Sequence, residues 1–128
     1  MPPTRVLFYA DADGTVPVLQ WLTELRGTQS KAFDKCLFLI RRLKALGYEI
    51  RRPLAGYLGD KIYELRARYG RVNYRILYGF PVQGVALLLH ALTKEARVPH
   101  ADIARAIRRM ERFLEDPAKH THEEKGIP

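Results

Sequence analysis

At 128 residues and 47% apolar content, the chain is long enough for one compact core and too short for two independent ones. Its net charge of +8 is unevenly spread, since residues 31–112 hold 18 Lys or Arg against 7 Asp or Glu, a net of +11. That balance steers the protein toward a polyanion such as RNA, DNA or a ribosome, or toward an acidic protein, and charge alone does not choose among them. The single cysteine, Cys36, excludes an intrachain disulfide and a cysteine-rich zinc site, and its place in the apolar stretch 33–40 predicts a buried structural thiol. The start, MPPTRVLFYADADG, lacks the basic region and sustained apolar run of a signal peptide, and no segment approaches about 18 consecutive apolar residues. A cytoplasmic protein is expected.

In chain order, Arg5 to Ala10 reads as a short strand and Asp11 to Gly14 as a turn. Pro17 sits in the first turn of a predicted helix with Val18, Leu22 and Leu25 in one stripe and Trp21 beside it, closed by Gly27. Ser30 is the predicted N-cap of a second helix running to about Leu46, with Phe33, Leu37, Ile40 and Leu43 or Lys44 at helical spacing and Gly47 as its stop. The pair predicts a helical hairpin. Residues 51–60 read as a connector. Two alternating strands, from Lys61 to Phe80, then flank a Gly70-Arg71 turn. Gly84 to Leu92, GVALLLHAL, is nearly continuously apolar and predicts a central strand with both faces partly covered. Pro99 starts a helix through about Leu114, its apolar side formed by Ile103, Ile107, Met110 and Leu114, while Arg105, Arg108, Arg109 and Arg112 populate its remaining surface. The expected fold class is α+β, a mostly antiparallel sheet covered by helices on one side. It forms a single domain over 1–116, with a fraying tail over 117–128 in which His120 and His122 lack the company of further metal ligands.

Counting by twos in the hairpin, Tyr63, Leu65, Ala67 and Tyr69 share one face with Tyr74, Ile76 and Tyr78 of the next strand. Glu64, Arg66, Arg68, Asn73 and Arg75 point the other way. A face carrying three arginines suits phosphate, because the guanidinium fork matches two nonbridging oxygens. With His90 and Lys94 near the end of the next strand, these are the residue types of metal-free RNA cleavage. That reaction has a 2′-hydroxyl attacking its adjacent phosphorus, and it needs a proton acceptor, an acid and cations. Arg66, Arg75, His90 and Lys94 are the candidate catalytic residues, and Arg68, Arg71, Tyr74 and Tyr78 the candidate RNA contacts. Glu64 reads as a general base or an ion-pair partner, while His90 reads equally as a satisfied histidine in a half-buried strand. No phosphate-binding glycine loop, nucleophilic serine arrangement or carboxylate pair appears, and neither a cofactor nor a metal is expected.

The segments GTVPVLQWL (14–22), IYELRARYGRVNYRILYGF (62–80) and LLLHALTKEARVPHADIARAIRRM (87–110), together with the helical hairpin, resemble the RelE/ParE superfamily of toxins, specifically its phage-derived Gp49-like or HigB-like group. The resemblance covers roughly residues 5–115. It implies a RelE-like fold and a ribosome-dependent endoribonuclease acting on messenger RNA, silenced by a helix-turn-helix antitoxin and reaching operator DNA only through that complex. By position, Arg75 matches the arginine such toxins use against the cleaved phosphate, Arg66 the strand arginine before it, and Lys94 the first basic residue after the last strand. The chain departs from the pattern at Ile62 and Glu64, where the RelE-like branch carries lysines, at Glu95 in place of a second lysine, and at Val98 in place of a threonine before Pro99. A gyrase-directed toxin of the ParE branch and a non-catalytic nucleic-acid-binding module use the same fold and remain alternatives.

Overall fold

The computed structural model describes residues 4–94 and 97–125. Its elements run β1 (Arg5–Tyr9), α1 (Pro17–Thr28), α2 (Ser30–Leu46), a single 3₁₀ turn (Gly47–Glu49), β2 (Ala55–Gly59), β3 (Ile62–Tyr69), β4 (Val72–Gly79), β5 (Val85–Lys94), α3 (His100–Glu115) and β6 (Thr121–His122). The strands form one sheet in the order β2-β3-β4-β5-β1-β6, in which only the β1–β5 pairing is parallel. This is an α+β fold with two N-terminal helices, a mixed and mostly antiparallel sheet and a C-terminal helix, the RelE-like arrangement. Among the described residues no helix is long and apolar enough to cross a membrane.

Alternation in β3 and β4 divides the apolar residues between two cores. Leu65, Ala67, Tyr74, Ile76 and Tyr78 face α1 and α2, where they meet Leu22, Leu25, Phe33, Leu37, Ile40 and Leu43. Ile62, Leu77, Leu87, Leu89 and Leu92 face the other way and pack with Ala106 and Phe113 of α3. Helices therefore cover both faces of the sheet, correcting the expectation of one covered side. The reason is β5, whose central position between β4 and β1 gives it apolar residues on both faces that each need a covering layer. Cys36 is buried, and burial pushes its thiol up to about 12.

Local chemistry explains most boundaries. Pro17 opens α1 at a position where no backbone donor is needed. A single residue, Gln29, separates α1 from α2. Ser30 is the first helical residue rather than the cap, and no side-chain cap bond forms at either N-terminus. Gly47 ends α2 at φ +55°, and a Cβ there would collide with the Thr4 hydroxyl, so the stop is imposed by packing as well as by conformation. The β3–β4 link is a two-residue turn with Gly70 at φ +65°, the type II′ geometry that matches strand twist.

Two segments differ from expectation. The supposed connector 51–60 contains β2, an edge strand joined to β3 through Asp60 and Lys61, both at positive φ. Its five residues, AGYLG, are too short and glycine-rich to show alternation. The terminal stretch, expected to fray, returns to the sheet as β6, whose Thr121 and His122 pair with Tyr9 and Phe8 of β1. His120 anchors it. Its imidazole stacks on Tyr9 with centroids 5.4 Å apart, and its Nδ1 lies 2.7 Å from the Ala10 carbonyl oxygen. In α3, Leu114 is 55% exposed and Phe113 takes the core position instead.

The α2 face supplies a direct test of this packing. Leu43→Ala, which empties a fully buried site between helix and sheet, lowers unfolding stability in urea by about 2–5 kcal/mol, whereas Phe38→Ala on the exposed side of the same helix shifts it by no more than about 0.5 kcal/mol.

Candidate nucleic-acid interface

The hairpin register places Arg66 directly opposite Arg75, with Arg68 opposite Asn73 and Glu64 opposite Leu77. Two guanidinium groups facing each other across a strand pair repel, and the sheet tolerates them because Glu64 lies on the diagonal. Its Oε1 is 3.3 Å from Arg75 Nε. Both partners are buried, Glu64 to 7% exposure and Arg75 to 8%, so Arg75 does not project into solvent as a surface arginine would. The contact is an ion pair without hydrogen-bond alignment, and Glu64 Oε1, Arg75 Nε and Arg75 Nη1 are all buried with no hydrogen-bond partner. Burial raises the Glu64 pKa above the ordinary carboxylate value, opposed by the positive charges of Arg75, Arg66 and Arg52.

Arg52 was not visible as a site residue in the sequence. It stands in the segment leading into β2, whose Gly56 pairs with Glu64, and only the unforeseen β2–β3 register brings that segment beside the hairpin. Arg66 and Arg68 are exposed on the same face, and Arg68 Nε lies 3.4 Å from the Gly70 carbonyl oxygen. Arg71 is exposed at the second position of the turn. Lys94 pairs through its backbone with Asn73, while its side chain and all of Glu95 lie outside the described residues. Val98 is buried in the core beneath α3, so an apolar residue fits where the family pattern has threonine.

Tyr74 and Tyr78 lie on the opposite face. Tyr74 is 8% exposed beside Trp21, and Tyr78, 1% exposed, packs between Tyr63 and Phe80. Neither ring is open to a nucleobase, and the assignment of both as RNA contacts is corrected. Strand parity had already put them with Ile76, and burial decides the matter.

His90 reaches the arginine face through a β-bulge. Pairing jumps from Tyr78–Leu88 to Leu77–His90, so Leu89 is an extra residue, and both Leu89 and His90 turn toward α3. Arg109 Nη1 of α3 donates to the Leu89 carbonyl oxygen at 2.8 Å and lies 3.1 Å from His90 Nδ1, while His90 Nε2 is 2.6 Å from Asp102 Oδ1. A guanidinium only donates, so Nδ1 accepts and Nε2 carries the proton: the ring is neutral with both nitrogens occupied. Burial lowers its pKa from the ordinary 6.5, aided by Arg109 and Arg105 and resisted by Asp102. His90 thus ties α3 to the sheet two residue pairs beyond Leu92, the residue opposite Arg75.

These elements are those of a known family. Residues 20–111 match the model of the phage-derived protein Gp49-like family (DUF891). The chain belongs to this family. The match runs from α1 through most of α3 and so includes the whole arginine face, leaving β1 and β6 outside it. No curated protein matches the sequence. In this Gp49-like domain no three His, Cys, Asp or Glu side chains among the described residues form a group able to hold a metal.

The His90 linkage has a definite sign. Its folded pKa lies below its unfolded one, so the unfolded chain binds more protons, and stability is full above about pH 6.5 and declines as pH falls toward the folded value. Between about pH 7.5 and about pH 5.5, the unfolding free energy of the wild type therefore falls more steeply than that of His90→Gln, measured by urea unfolding at each pH.

Proposed function

We propose that this Gp49-like protein is the toxin of a type II toxin-antitoxin pair and cleaves messenger RNA on the ribosome. The observation that carries the reading is the opposed Arg66–Arg75 pair, flanked by Arg52 and Arg68 and balanced by one buried carboxylate. The RelE-like arrangement and the resemblance over residues 5–115 support it.

The chemistry follows from these groups. A phosphate entering the face competes with Glu64 for Arg75, whose Nη1 has no partner of its own. The guanidinium fork holds the nonbridging oxygens more tightly as charge builds on the five-coordinate phosphorus, which is the condition for rate enhancement. Glu64, released beside that phosphate and carrying a raised proton affinity, accepts the 2′-hydroxyl proton. The 5′-oxygen leaves with a proton, and the products carry 2′,3′-cyclic phosphate ends. Lys94, placed by register at the same end of the sheet, is assigned to that departure, and Arg66 to the phosphate. His90 serves by holding α3 against β5. A cognate helix-turn-helix antitoxin silences the toxin.

Because Arg75 is buried against Glu64, Arg75→Ala costs stability as well as activity, by roughly 3–5 kcal/mol for a broken buried pair. Cleaner variants are Arg75→Lys, which keeps the charge but loses the fork, and Arg66→Ala on the exposed side. Both retain the wild-type melting temperature to within a few degrees and lower cleavage of ribosome-bound message, by roughly 10²-fold for Arg75→Lys and at least about 10-fold for Arg66→Ala. Pulse labelling after induction separates the targets: protein synthesis stops first. An early stop in DNA synthesis with translation intact would instead favour the gyrase-directed reading.

A further inference from the structure

Helix α2 turns a second, differently built surface to solvent. Its inner side is consumed by Ala32, Phe33, Cys36, Leu37, Leu39, Ile40 and Leu43, all buried. Its outer side carries five exposed cations, Lys31, Lys35, Arg41, Arg42 and Lys44, against one exposed acid, Asp34. Among them stands Phe38, 54% exposed, and just past the end of α2, in the 3₁₀ turn, Tyr48 is 53% exposed and tilted against Phe80 at 4.1 Å between centroids. Ala45, seven residues after Phe38, repeats its angular position about 10 Å further along the axis. Beside Tyr48 opens a cavity of about 330 Å³ whose lining includes Ala45, Leu46, Tyr48, Thr4 and Gln83 and one exposed acid, Glu49, outnumbered by the five cations of α2.

We infer that this surface docks an acidic amphipathic helix of another protein, its apolar stripe on Phe38, Ala45 and Tyr48 and its acidic flanks on the α2 cations. Exposed aromatic anchors ringed by charge are where binding energy concentrates, and a groove-lying helix presents apolar side chains at i and i+7 with this spacing. The cavity receives one of those side chains. Single-stranded RNA fits less well. Successive bases of a bound single strand stack on a run of neighbouring aromatic rings, whereas the anchors here are two helical turns apart. A second copy of this chain is disfavoured too, because two faces with the same excess of positive charge repel. The inference is independent of the cleavage reading, since α2 covers the side of the sheet opposite Arg66 and Arg75.

The test uses the full chain and fluorescence anisotropy with three labelled probes. One is a synthetic helical peptide with leucines spaced for one face and glutamates flanking them. The others are a scrambled peptide of identical composition and a single-stranded RNA oligonucleotide. The ordered peptide binds, and binding weakens at least about 10-fold in Phe38→Ala, in Tyr48→Ala and in the charge-reversed Lys35→Glu/Arg42→Glu protein, while Arg66→Ala leaves it unchanged. Absent binding, equal binding of the scrambled peptide, or insensitivity to Phe38→Ala and Tyr48→Ala would overturn the inference. RNA binding lost in Phe38→Ala would reassign the surface to nucleic acid. Dimerisation in sedimentation velocity, lost in that variant, would reassign it to a second copy.

Discussion

The ion pair between Glu64 and Arg75 is the constraint around which the arginine face is organised. At 3.3 Å, with an effective dielectric of about 20, the gross attraction is about 5 kcal/mol, comparable to the several kcal/mol needed to dehydrate each ion. The net contribution to stability is therefore small. What the pair does is allow a guanidinium to sit buried opposite Arg66, a placement that repulsion and dehydration would otherwise forbid. It is also incomplete, with three of its polar atoms lacking hydrogen bonds. On the proposed reading, that unused bonding capacity is what an incoming phosphate takes up.

The second polar centre has the opposite character. The His90 ring is bonded at both nitrogens, and Arg109, whose guanidinium also lies over the Tyr9 ring at 5.7 Å, draws β1, the β5 bulge and α3 into one network. Satisfied networks rigidify. Because the bulge turns Leu89 and His90 to the same side, α3 gains both an apolar seat and a polar latch from consecutive residues. The helix is thus fixed over β5, while Arg66, Arg68 and Arg71 remain exposed.

Much of this was legible in the sequence because it rests on local periodicity. The helical hairpin, the β3–β4 pair, the two faces of that pair and the central place of β5 all follow from spacing within one element. What was not legible depends on register between distant segments. Strand β2 becomes a strand only by pairing with β3, β6 only by pairing with β1, and Arg52 joins the site only as a consequence of the first. The covering of both sheet faces was implicit in the continuous apolar run of β5, which a one-sided sheet would leave exposed. The burial of Arg75 could not be read from alternation, which tells on which side a residue points but not what lies above it. Phe38 escaped notice for a related reason: it sits among inward-facing neighbours in sequence, and only the helix's seat on the sheet reveals it as an outward one.

On the proposed reading, the same self-neutralised face explains why a ribosome would be needed. Free RNA must displace Glu64 from Arg75 before it gains a phosphate contact, so part of its binding energy goes to breaking an existing attraction. Among the described residues it also finds no open aromatic ring on that face, since Tyr74 and Tyr78 are buried behind the sheet. A message already held in a decoding site arrives with its position and orientation determined. The local exchange of one anion for another then needs to be only nearly balanced. The carboxylate that weakens capture of free RNA is, in that setting, the group best placed to take the proton once it is displaced.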